Sequence, residues 1–100
     1  MSSPLTDLDA VIHAPKRLAA MAVLAASSGT DFVFLRDHLQ LSDSDLSKQM
    51  SALRAAGYVS VSKSGHGRGS TTTYTITRTG RAAYRRHRQA LEALLHGERS

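Results

Sequence analysis

The stretch from Leu35 to Tyr58, LRDHLQLSDSDLSKQMSALRAAGY, constrains this chain more than any other. Leu35 and Leu39 stand four apart and give a short helix one apolar edge. Gln40-Leu41 interrupts the pattern as a tight turn. Ser42 and Asp45 then form an S-x-x-D start. The hydroxyl can accept from the first free amides of a second helix, and the carboxylate can reach back. Leu46, Met50 and Leu53 share one face of that helix. Gly57 falls where a left-handed C-cap is needed. Two helices joined by a short turn make a helix-turn-helix, and the second is the candidate recognition helix.

The charge is divided along the chain. Residues 1–47 carry three basic and six acidic side chains, a net of −3; residues 48–100 carry ten and two, a net of +8. A basic half that begins inside the candidate recognition helix is the electrostatic footprint of a nucleic-acid binder. A solvated basic surface would carry the same charge. With 41% hydrophobic residues, one hundred residues allow one domain with a small core. The absence of cysteine excludes a disulfide framework and a thiolate metal site, and suits a reducing compartment. No apolar run reaches the roughly 18 residues that span a bilayer. The opening MSSPLTDLDA has no basic start followed by an apolar stretch, so no signal peptide and a cytoplasmic location are expected.

Taken in order, residues 1–7 are expected to fray, and Leu8, Val11 and Ile12 to form an apolar lead-in. Pro15 suits the first turn of a helix running to about Ser27. Leu18, Met21, Ala22 and Ala25 give that helix one face, and Val23 and Leu24 make it apolar on a second side, which can meet another chain. After the turn Ser27–Thr30, Asp31-Phe32-Val33 is expected as a very short strand. Tyr58–Lys63 and Thr71–Thr77 alternate at period two and predict a hairpin, with Tyr74 and Ile76 on its inner face. Its tip, Ser64–Ser70, holds three glycines. Thr77 caps a last helix from about Arg78 to His96, roughly 28 Å long. Tyr84, His87, Leu91, Leu94 and Leu95 recur along it at heptad-like spacing, with Arg81, Arg85, Arg86 and Arg88 largely off that seam.

With Leu46, Met50 and Leu53 inward, Ser44, Ser47, Lys48, Ser51 and Ala55 turn outward on the candidate recognition helix, and Gln49 and Arg54 flank them. Small residues with one lysine can enter a major groove about 12 Å wide. Serine hydroxyls can reach phosphates or base edges, and Lys48 can meet phosphate or guanine. Asp45 is a misfit on such a face. It is read as a capping partner, with a cytosine amine as the alternative. At the hairpin tip, Gly65-His66-Gly67-Arg68-Gly69-Ser70 is no phosphate-binding P-loop, because Gly-Lys-Ser/Thr is missing and a strand follows it. A glycine-rich loop carrying Arg68, with His66 beside it, suits a narrow minor groove. Lys63 and the outward Thr71 and Thr73 can hold phosphates. Five histidines make no metal-binding spacing. No nucleophile, acid–base or cofactor motif is present, so neither catalysis nor a cofactor is expected.

The whole order resembles the winged-helix transcriptional regulators of the MarR/ArsR type, closest to a small stand-alone branch. The matching segments run from Val11-Ile12-His13-Ala14-Pro15-Lys16-Arg17-Leu18, through Asp31–Arg36 and Leu41–Met50, to Leu53-Arg54-Ala55-Ala56-Gly57-Tyr58-Val59 and Tyr74-Thr75-Ile76-Thr77-Arg78-Thr79-Gly80-Arg81. The resemblance implies a mostly α, α+β winged helix-turn-helix with a three-helix core, a two-stranded wing and a long C-terminal helix. It implies one domain over 1–100, with core and wing at about 8–77 and a dimerisation helix at 78–96. It further implies a homodimer on double-stranded DNA, with recognition helices one helical turn apart. The expected DNA set is Ser44, Ser47, Lys48, Ser51, Arg54, Lys63, His66, Arg68 and Thr73. The expected dimer set is Leu24, Tyr84, His87, Leu91, Leu94 and Leu95. Such proteins often carry asparagine where this chain has Asp45, and an arginine–histidine pair in place of Lys48-Gln49. The larger effector-holding helical domain and the cysteine ligands of metal sensors are missing, so no effector is assigned; with no apolar run of spanning length, no membrane partner is expected. The rival function is a winged-helix protein-interaction module that docks through its terminal helix. RNA binding is a third option, weakened by only five aromatic residues.

Overall fold

Three of the helices start on a side chain that caps them, and the one that starts on Pro15 has no side-chain cap. A computed structural model describes residues 4–65 and 67–97. In it α1 spans Pro4–Asp7, α2 Pro15–Ala25, β1 Thr30–Asp31, α3 Phe32–Leu39 and α4 Asp43–Ala55. Then come β2 at Val59–Ser64, a 3-10 turn at Gly67–Gly69, β3 at Thr71–Ile76 and α5 at Arg78–Leu95. Asp31 accepts the Phe34 N–H at 2.7 Å, Ser42 the Asp45 N–H at 3.1 Å and Thr77 the Gly80 N–H at 2.9 Å. Gln40, in the left-handed region at φ 56°, ends α3 and turns the chain into α4. Gly57, at φ +81°, ends α4 and lets the Tyr58 N–H return to the Leu53 carbonyl at 3.0 Å.

The three helices α2, α3 and α4 enclose Met21, Leu24, Leu35, Leu46, Met50 and Leu53, and Val59, Tyr74 and Ile76 close the core from the sheet. The sheet is antiparallel in the order β1-β3-β2. The register pairs Val59 with Ile76, Val61 with Tyr74 and Lys63 with Thr72. Partners across a ladder share a face, so Lys63 and Thr72 lie on the same side as the core residues Val59, Tyr74 and Ile76.

Among the glycines, Gly80 has the least room for a side chain. A Cβ built there would meet the Tyr58 carbonyl oxygen at 2.1 Å. The same oxygen accepts the Thr77 N–H at 3.0 Å, and the Thr77 hydroxyl donates to the Gly57 carbonyl at 2.7 Å. The start of α5 is thereby fixed to the end of α4.

Five expectations are corrected. Pro4–Asp7 is a helical turn that packs against α5, not a frayed end. Phe32 and Val33 begin α3, because the Asp31 cap turns the chain helical at once, and the short strand is Thr30–Asp31. Those two residues pair with Tyr74 and Thr73, so the sheet has three strands. Helix α2 stops at Ala25, and Ala22 is exposed because the buried stripe follows Ala20, Met21 and Leu24. The Asp45 carboxylate does not turn back to Ser42; Lys16 and Gln49 take it.

A partly buried polar cluster ties the N-terminal segment to α5. Asp9 accepts the Val11 and Ile12 N–H groups and the Tyr58 hydroxyl. Its own N–H donates to His87 Nδ1 at 3.0 Å, and His87 Nε2 lies 3.3 Å from His13 Nδ1. An Nδ1 that accepts a backbone N–H leaves the His87 proton on Nε2. Burial, then the nearby His13, push the His87 pKa below the ordinary 6.5 against the pull of Asp9. The unfolded chain therefore takes up this proton first. The associated stability is present above about pH 6.5 and is lost as the pH falls through the lower folded value. Melting temperature is expected to drop from pH 7.5 to pH 5, and His87→Gln, which can accept the same N–H but cannot titrate, is expected to flatten that drop. An unchanged acid limb in His87→Gln would assign the sensitivity to other groups.

Candidate nucleic-acid interface

The α4 face opposite the core carries Ser44, Ser47, Lys48, Ser51, Arg54 and Ala55, and all six are exposed. The stripe Leu46, Met50 and Leu53 is fully buried and sets that orientation. Beside α4, the sheet opens a crevice of about 240 Å³, with Phe32, Met50 and Val61 among its lining and Ser47, Ser51, Arg54, Lys63, Thr72 and Tyr74 as its polar side chains. Four hydroxyl side chains and two cations thus converge where the helix meets the hairpin. Among these, Tyr74 is held protonated by burial, which pushes its pKa up against the pull of Arg54. The crevice therefore offers two cations and several hydroxyl donors beside an apolar floor.

The structure separates the expected site residues into groups. Ser44, Ser47, Lys48, Ser51, Arg54 and Lys63 share one surface. Thr73 does not join them. It pairs with Ser62 and Asp31 on the sheet face opposite α4, and lies against Gly29. Thr72 takes its place, in register with Lys63. The alternation that placed Tyr74 and Ile76 inward already implied Thr72 on that face. His66 and the side chain of Arg68 lie outside the described residues.

Of the expected interface residues, Leu24 and His87 are fully buried within the chain. Leu24 belongs to the core and His87 to the Asp9 cluster, so neither faces outward. Tyr84 and Leu91 are half-buried. Leu94 and Leu95 are 39% and 71% exposed at the end of α5, and Leu5 on α1 is 64% exposed.

Sequence spacing gave no hint of the polar chain that fixes α4 to α2. Lys16 donates to Asp45 Oδ2, Gln49 donates to Asp45 Oδ1 at 2.8 Å, and Arg17 donates to Gln49 Oε1 at 2.9 Å. Arg17 also donates to the Val11 carbonyl at 2.6 Å. Lys16 above all, then Gln49, hold the Asp45 carboxyl below its usual range. The partners lie 29 and 32 residues apart in sequence. Among the described residues no group of three or more His, Asp or Glu side chains is placed to hold a metal, and no helix is long and apolar enough to cross a membrane.

A family model described as a winged helix DNA-binding domain matches residues 16–95. A search of curated proteins returned no match. Among solved structures, a transcriptional regulator homologue from Pyrococcus horikoshii OT3 superposes with a TM-score of 0.82 at 25% identity, over 87% of this chain and 86% of that one. HlyU from Vibrio cholerae N16961 matches at 0.63 and 22%, over 95% and 94% of the two chains. ZitR of Lactococcus lactis, a zinc-responsive MarR family member, matches at 0.62 and 15%, over 82% of this chain and 56% of that protein.

Proposed function

The chain belongs to the winged helix DNA-binding domain family, and on that premise we propose that it is a transcriptional regulator that binds duplex DNA as a homodimer. Helix α4 enters the major groove with Ser44, Ser47, Lys48 and Ser51. The crevice beside it takes a flanking phosphate between Arg54 and Lys63. The hairpin tip, with Arg68 and His66, lies at the adjacent minor groove. The surface itself is the observation that carries this reading: small exposed hydroxyl side chains on one helix face, joined to a crevice with two cations. Such a surface suits a groove wall lined with acceptors and phosphates.

The test is fluorescence anisotropy with a labelled random duplex of about 30 base pairs, three helical turns, titrated across salt. Binding that falls steeply with salt is expected. An absence of binding at low salt would favour a protein-docking module, for which the exposed Val33 and Phe34 on α3 (54% and 51%) offer a second apolar surface beside Leu94 and Leu95.

The dimer half of the proposal rests on the exposed apolar end of α5 and on Leu5 of α1, which packs against α5. Leu94→Glu with Leu95→Glu is expected to give monomers in sedimentation, with the thermal transition largely retained because neither side chain is buried. A surviving dimer would move the interface elsewhere.

A further inference from the structure

Asp45 is an acidic residue in the first turn of the helix that the proposed function sends into the major groove. It is exposed enough to matter there: its side chain is 26% accessible, between the exposed Ser44 and the buried Leu46. Both of its oxygens are occupied, one by Lys16 and one by Gln49. Lys16, at the start of α2, is 52% exposed, so the ammonium sits at the rim of the same surface. Lys16 thus has an exposed flexible stem and lies beside the groove-facing turn, yet its charge is spent on a carboxylate.

We propose that the Asp45–Lys16 pair is a specificity-determining guard that holds Lys16 off the DNA backbone and limits binding to non-cognate duplex. This rests on the DNA-binding reading above. The physics is that of counterion release. Non-specific affinity comes almost wholly from lysine and arginine on phosphates, each phosphate contact adding about 0.9 to the salt slope. A carboxylate at the groove subtracts from that affinity for every sequence, and a lysine it engages contributes nothing to the slope. What remains is weighted toward the contacts of α4 with base edges. Gln49 keeps the guard in place without adding charge, because Arg17 fixes its oxygen and leaves its amine pointing at Asp45.

Asp45→Asn removes the charge and keeps the shape and the acceptor for Gln49. On random duplex the variant is expected to bind several-fold more tightly at low salt, with a salt slope steeper by about 0.9 per bound protomer. Lys16→Met in the otherwise natural chain is expected to leave the slope unchanged. Asp45→Asn with Lys16→Met is expected to return the slope to the natural value, which shows that the added contact is Lys16. Thermal melting of each variant establishes that it is folded. An unchanged slope in Asp45→Asn, or a slope lowered by Lys16→Met alone, overturns the guard while leaving DNA binding intact. A natural chain that binds no duplex overturns both.

Discussion

Replacing Arg54 and Lys63 together by alanine is expected to lower the affinity for duplex DNA roughly a hundredfold per bound protomer. Both cations line the crevice between α4 and the sheet, with Ser47, Ser51 and Thr72 around them. On the proposed function each makes one charge-assisted contact to a phosphate, worth about 1.5 kcal/mol. Two such contacts correspond to about 3 kcal/mol, or two decades of affinity. The salt slope is expected to flatten by about 1.8 for each protomer bound. Neither side chain belongs to the core, so the fold should be retained. Removing equal charge elsewhere, with Arg78→Ala and Arg85→Ala on α5, is expected to cost far less. Equal losses in the two double variants would mean that net charge, rather than this crevice, governs binding.

Gly80→Ala is expected to destabilise the fold by about 3 kcal/mol, although alanine is the better helix former by about 1 kcal/mol. Helix propensity and packing predict opposite signs here, and the magnitudes decide between them. The added Cβ would lie 2.1, 2.8 and 2.9 Å from the oxygen, carbonyl carbon and Cα of Tyr58. All three are backbone atoms, so no side chain can rotate away. Relief requires α5 to lift off the end of α4, which breaks the Thr77 bonds to Tyr58 and Gly57. At roughly 4–8 °C per kcal/mol for a domain of this size, the melting temperature should fall by about 12–24 °C. An equal or higher melting temperature would contradict the close approach. DNA binding should fall with it, since the same junction sets the angle between α4 and the hairpin.

Both predictions depend on features of unequal legibility in the sequence. The caps at Ser42 and Thr77, the turn at Gln40 and the stop at Gly57 were legible because each is a local chemical event. The inward stripe Leu46, Met50, Leu53 was legible for the same reason, and with it the outward face of α4. Short elements were not. A two-residue strand at Thr30–Asp31 has no period to read, and the Asp31 cap turned Phe32 and Val33 into helix against their β propensity. Burial by distant segments was equally hidden. The heptad-like spacing of His87 suggested an intersubunit seam, but its partners are the Asp9 N–H and the His13 ring, 78 and 74 residues away in the same chain. Leu24 shows the same ambiguity, since an apolar residue on a second helix face fits a core or an interface equally well. The Lys16–Asp45 contact left no trace because neither residue has a motif spacing to the other.

On the proposed function the α4 face and the crevice beside it form the DNA surface. The most direct measurement is backbone amide shift mapping of the isotopically labelled protein as a duplex is titrated in. Shifts are expected to concentrate at Ser44, Ser47, Lys48, Ser51, Arg54, Lys63 and Thr72, with Thr73 and the exposed α3 residues Val33 and Phe34 little changed. Shifts confined to α3 or to the end of α5, with the α4 face silent, would contradict it.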